Sequence, residues 1–430
     1  MLTRLDLRGV PDGPGPLLPR PGSGGDPPVK AVRAILASVR DRGDEAVREY
    51  TRRFDGADLD DLAVPPGECE RALDAIAPEL RAALVTARDN IDAFNRAEAA
   101  PEVTWARDGL TVRTLRRPVD RAGCYVPGGR AAYPSTVLMT AVPARVAGVA
   151  EVVVCVPPGP DGRVPDAVLA AAALAEVDAV YRIGGAQAIG ALAYGTASVP
   201  AVDVIVGPGN VYVAVAKREV AGEGLVGVPS AFAGPSEVVV VADATVPPDV
   251  VAVDIVVQAE HGPDGLAWLV TWLEEVADAV TAAVTRIVGA SPRRADILST
   301  LDAGGYAVLV DGPEQAMAVA NRIAPEHLEL LVAEPEALVA LVRHAGAVFL
   351  GATSPASLGD YVAGPSHVLP TAGSARFAGA LTADDFTKAV HVVEADSHAF
   401  ARLGPHVEVL ARAEGLAAHA DSIAYRLRPR

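Results

Sequence analysis

Long apolar runs are missing from this 430-residue chain, although half of its residues are hydrophobic. The richest stretch, residues 141–156, is broken by Pro143, Arg145 and Glu151, and falls short of a membrane span. Cysteine is scarce. Cys69, Cys124 and Cys155 are too far apart for a thiolate zinc cluster or a disulfide framework, which fits a reducing compartment. Positive charge is in deficit: 37 Lys and Arg stand against 54 Asp and Glu, a net charge of -17. A nucleic-acid partner or an anionic membrane would require a basic face, so neither is expected. The N-terminus, Met1-Leu-Thr-Arg-Leu-Asp, has no apolar signal-peptide core, and a cytoplasmic protein is expected. The Gly-x-Gly-x-x-Gly dinucleotide fingerprint is also absent.

What is present is alternation. Val32, Ile35, Leu36 and Val39 lie at helical spacing, a second helix runs from Asp44 to Asp55-Gly56, and Leu80, Leu84, Ile91 and Phe94 mark a third. From about residue 120, short Val/Ile-rich runs alternate with Ala-rich helical stretches. Such runs read as parallel strands buried on both faces, hence an α/β protein with enough strands for two doubly wound, Rossmann-like units. The expected division is an N-terminal arm (1–25), a first α/β domain (26–124 and 237–380), a second, cofactor-side domain (125–236) and a mostly helical tail (381–430). Residues 11–28 are dense in Pro and Gly.

Three Gly-rich loops, Val126-Pro-Gly-Gly129, Gly184-Gly-Ala-Gln187 and Gly207-Pro-Gly-Asn210, follow expected strands and precede helices. Singly each reads as a tight turn; together they mark a sheet edge where a ligand binds. Asp254, Gln258 and His261 share a helical face, with Gly262 as its stop, so an imidazole at a helix mouth is offered either to a metal or to the helix dipole. From chemistry alone, Asp254 or Glu260 is a better companion ligand than the Gln258 amide. In Ala324-Pro-Glu-His-Leu328 the adjacent Glu326 and His327 point in different directions and suit separate proton transfers; an ordinary surface loop is the alternative. The long stretch 354–376 offers Asp360 and His367. Glu414 and His419 lie five apart across a possible turn at Gly415.

Ten segments in order resemble the histidinol dehydrogenase family. They are Arg42-Gly-Asp-Glu-Ala-Val-Arg-Glu-Tyr-Thr, Tyr125-Val-Pro-Gly-Gly, Pro134-Ser-Thr-Val-Leu-Met, Gly207-Pro-Gly-Asn, Phe232-Ala-Gly-Pro-Ser-Glu, Gln258-Ala-Glu-His, Ala324-Pro-Glu-His-Leu-Glu-Leu, Gly359-Asp-Tyr, Gly364-Pro-Ser-His-Val-Leu-Pro-Thr and Glu414-Gly-Leu-Ala-Ala-His. The resemblance implies one zinc ion per subunit held by Gln258, His261, Asp360 and His419, with Glu326 and His327 as acid/base residues. It implies NAD contacts from Tyr125, Gln187 and Asn210. Ser236, His367 and Glu414 would join His327 and the metal ligands around the substrate. The implied reaction is the four-electron oxidation of L-histidinol to L-histidine through bound L-histidinaldehyde, the last steps of histidine biosynthesis. The implied assembly is an intertwined homodimer in which Glu414 and His419 act in trans. Gly262 and Ser366 stand where more polar residues are expected. Competing readings are another zinc/NAD amino-alcohol dehydrogenase, a zinc hydrolase, an aldehyde dehydrogenase using Cys124 as nucleophile, and a non-catalytic relative.

Overall fold

The computed structural model describes residues 1–10, 18–19, 27–129, 131–229, 236–260 and 265–428. His261, Gly262 and most of the Pro/Gly-rich stretch lie outside these. The chain forms two compact units: residues 1–98 with 120–386, and residues 99–119 with 387–430.

The first unit is α/β and holds two all-parallel sheets. Its four-stranded sheet runs in the order Ala179–Arg182, Glu151–Val156, Arg121–Tyr125, Val204–Val206. The chain winds outward through the first three strands in sequence and then returns to the other side of Arg121–Tyr125. The strand order thus reverses between Arg121–Tyr125 and Val204–Val206, which opens a crevice at their carboxyl ends. The six-stranded sheet has the order Thr3–Asp6, Gly305–Leu309, Leu266–Thr271, Glu237–Ala242, His327–Leu331, Ala347–Leu350. Glu237–Ala242 and Leu266–Thr271 are buried at every position, as strands covered on both faces must be.

The helices expected from periodicity are present. Val32, Ile35, Leu36 and Val39 are the buried face of Val29–Arg42. That face packs on helix Gly185–Tyr194, where a Cβ at Gly190 would come within 3.2 Å of Leu36 and 3.3 Å of Val39. The bare backbone there is what lets the helices approach. Helix Pro248–Ala259 carries Asp254 and Gln258 and is capped by Glu260, the last described residue before His261.

The second unit adds strands to the expected, mostly helical tail. Its helices Ser397–Ala413 and Ala417–Leu427 follow a nine-residue strand, Thr387–Ala395, that pairs antiparallel with Leu110–Pro118, itself paired with Val103–Arg107. These strands were hidden because few of their residues are covered, so no continuous apolar run announces them. No helix among the described residues is long and apolar enough to cross a membrane.

Candidate active site

Each Gly-rich loop stands where expected, at the carboxyl end of a strand in the four-stranded sheet and ahead of a helix. The loops are locked to one another. The Tyr125 hydroxyl accepts the Gly185 amide at 3.1 Å. Gly207, at φ 103°, lies so close to Tyr125 that a Cβ would stand 2.0 Å from its carbonyl oxygen. The buried Lys217 ammonium donates to the Gly207 carbonyl, and burial pulls Lys217 down to about 7. Asn210 caps helix Val211–Gly222, its side-chain oxygen accepting the amides of Tyr212 and Val213 at 3.0 and 3.2 Å. Gln187 is buried, and neither end of its amide has a partner.

These loops wall a cavity of about 1110 Å³ in which Tyr125, Gln187 and Asn210 all take part. It is roomy enough for a dinucleotide. The opposite wall carries Tyr50, Phe54 and Asp55 from helix Asp44–Asp55, which sequence reasoning did not connect with a site.

Glu326 and His327 belong to the other sheet and lie at its amino-terminal edge. Helix Pro313–Ile323 ends in left-handed Ala324, Pro325 turns the chain, and strand His327–Leu331 begins. The pair is not on a surface loop: Glu326 and His327 are 7% and 5% exposed. Nor do the two side chains diverge, since His327 Nδ1 lies 3.8 Å from Glu326 Oε2. Strand alternation would have separated them, but Glu326 precedes the strand, and the turn swings its carboxyl back. Glu326 accepts the Glu237 amide at 3.1 Å and is also bonded by the Ser236 side chain. Burial nevertheless raises its carboxyl above the usual range, with the neighbouring imidazole opposing.

His327 Nε2 lies 3.3 Å from Asp360 Oδ1. Burial pulls the imidazole down, but the Asp360 hydrogen bond and the Glu326 charge outweigh it and raise it to about 9. Asp360 lies in the short helix Ala356–Tyr361, which approaches through Gly359, where a Cβ would lie 2.6 Å from the Phe349 ring. His367 ties this corner to the other sheet: Nδ1 is 2.9 Å from the Asp360 carbonyl and Nε2 is 3.1 Å from the Thr136 hydroxyl. A carbonyl only accepts, so Nδ1 carries the proton, and in the neutral ring Nε2 accepts from Thr136. Ser366 is buried and donates to the Met139 carbonyl at 3.0 Å.

Gln258 is buried and its Nε2 has no partner. One turn earlier on the same face, Asp254 hydrogen-bonds Glu329 of strand His327–Leu331. Burial raises both carboxyls, Glu329 to about 8. Asp254, favoured by chemistry as a ligand, is thereby engaged elsewhere. Glu329 was missed, because a partner across elements leaves no local spacing to read. Glu414 and His419 lie in the second unit, both exposed, on either side of a left-handed turn at Gly415. Among the described residues no three His, Cys, Asp or Glu cluster as a metal site.

Cys124 is fully buried, and burial pushes its thiol to about 12, with the Thr140 hydroxyl opposing. It is no nucleophile at neutral pH. Cys124→Ser is therefore expected to keep kcat within about threefold, at a stability cost of about 1 kcal/mol for the buried hydroxyl. A thousandfold loss in aldehyde oxidation, measured by NADH formation, would restore the covalent mechanism.

A profile of the histidinol dehydrogenase family matches residues 20–427. The chain belongs to that family. It is 49% identical over 399 residues to the histidinol dehydrogenase of a Synechococcus strain, covering 92% of this chain and 91% of that one. It is 48% identical to the enzyme of Pseudomonas savastanoi, covering 92% and 88%. The crystal structure of histidinol dehydrogenase from Elizabethkingia anophelis superposes with a TM-score of 0.94 at 33% identity, over 99% of this chain and 98% of the other. As a member of the family, the chain is an NAD-dependent oxidoreductase.

Proposed function

We infer that the chain oxidises L-histidinol to L-histidine in two successive NAD-linked steps through L-histidinaldehyde, the closing steps of histidine biosynthesis. The observation that carries this reading is the buried Glu326–His327–Asp360 constellation in a chain of this family. In the first step His327 takes the hydroxyl proton while the carbinol hydride leaves for the nicotinamide, giving the aldehyde. In the second, Glu326 takes a proton from water as its oxygen adds to the aldehyde carbon. The hydrate then gives up its hydride to a second NAD and its protons to solvent. Two adjacent buried acid/base groups, 3.8 Å apart, suit this division of work.

Residues present in the chain fit a zinc ion. The buried Gln258 can offer its side-chain carbonyl oxygen, and Asp360 offers a carboxylate beside His327. With His261 and His419 they make an oxygen/nitrogen set of the kind zinc accepts. Bound there, zinc would position the substrate imidazole and amine and polarise the alcohol. Ser236, His367 and Glu414 would contact the remaining substrate. His367 would do so by giving up its Thr136 bond. Glu414 and His419, exposed on a separate compact unit, are available to a second copy of the chain, so we propose a homodimer that supplies them in trans.

The test is stoichiometric. With L-histidinol as sole substrate, about two NADH are expected for each histidine formed, the value a four-electron oxidation requires. One NADH with free aldehyde accumulating, or product formation without NADH, would overturn the reading.

A further inference from the structure

Asp55 has no structural employment. It is the last residue of helix Asp44–Asp55, ahead of Gly56 at φ 73°, and an acid at that end is opposed by the helix dipole. Its Oδ2 is buried and unpartnered. Burial raises its carboxyl to about 6. Asp55 lines the same cavity as Tyr125, Gln187 and Asn210, where a half-buried carboxylate without a protein partner can accept from a ligand.

The surroundings say what kind. Beside it in the cavity wall lies Phe54, 52% exposed and stacked on Tyr50 at 5.7 Å, a flat apolar surface suited to a purine. Ala31, Ala34 and Ile35 extend that surface. Arg53 lines the same cavity, its guanidinium 5.3 Å over the Phe54 ring. Across the cavity, Gly128, Gly129 and the start of helix Gly185–Tyr194 present backbone for phosphates.

We propose that Asp55 accepts hydrogen bonds from the vicinal hydroxyls of the adenosine ribose and thereby selects NAD over NADP. The proposal rests on placing the dinucleotide in this cavity. A carboxylate accepts from a 2′-hydroxyl but repels a 2′-phosphate, the logic by which acidic residues set this preference in other dinucleotide sites. The chain performs the function without the glycine fingerprint and from a helix outside the four-stranded sheet.

Asp55→Asn tests it. The variant loses an unpaired buried charge and is expected to melt no lower than the wild type. The KM for NAD should rise about tenfold to a hundredfold, the worth of charge-assisted hydrogen bonds, while kcat stays within about twofold. NADP efficiency should hold or rise, since Arg53 then faces the phosphate unopposed, so the NAD/NADP ratio of kcat/KM collapses at least tenfold. An unchanged KM for NAD would overturn the proposal. So would equal losses with both dinucleotides, the mark of a structural role or of contact with the other ribose. NADH and NADPH binding, followed by nicotinamide fluorescence, requires neither histidinol turnover nor metal. It therefore reads Asp55 even if histidinol oxidation itself were to fail.

Discussion

Replacement of His327 by Asn is expected to lower kcat for histidinol oxidation roughly a thousandfold, within the range that a positioned general base supplies. Asparagine keeps a donor for Asp360 and leaves the buried corner filled, so the fold should persist, with melting within a few degrees of the wild type. What disappears is the only imidazole that touches both Glu326 and Asp360 among the described residues. The alkaline rise of kcat/KM as the base loses its proton should flatten in the variant. Glu326→Gln should instead spare the first hydride transfer and slow the second, so that a single turnover yields one NADH quickly and the next slowly. Retention of more than a tenth of wild-type kcat by His327→Asn would place the base elsewhere.

Removal of metal is the second large effect. Chelation should abolish NADH formation from histidinol, and zinc should restore it. Activity surviving complete metal removal would exclude Gln258, His261, Asp360 and His419 as a required ligand set. The same set allows a test of assembly. His261→Ala and His419→Ala are each expected to be inactive. In a mixed dimer with trans supply, one of the sites regains every ligand, so random exchange should recover about a quarter of wild-type activity. No recovery would mean that each site is built within one chain.

Much of this was legible before any coordinates. The Val32, Ile35, Leu36 and Val39 face and the Gly-rich loops at strand ends follow from period and punctuation, which act locally. Glu326 and His327 stood out as candidates in the sequence, but their relation did not. The left-handed turn at Ala324 and the burial around it bring Glu326 and His327 together, and two letters in a row carry no trace of either. The antiparallel strands near residues 103–118 and 387–395 were invisible because their side chains are mostly not buried. Asp55 reads in the sequence only as a helix end, and the Asp254–Glu329 pair joins elements far apart in the chain. Long-range carboxyl partners are the class of feature that sequence pattern reads least well.

The His367 tie has a thermodynamic side. It joins the Asp360 carbonyl to Thr136, in the first turn of the helix that follows the Tyr125-Val-Pro-Gly-Gly loop. A dinucleotide that shifts this helix must lengthen or shorten one of those bonds, and so must a cation that draws Asp360 toward itself. Any such response makes cofactor affinity and metal retention linked quantities: whatever factor one imposes on the other is returned unchanged. One imidazole without a chemical step of its own would then set how far the two occupants sense each other.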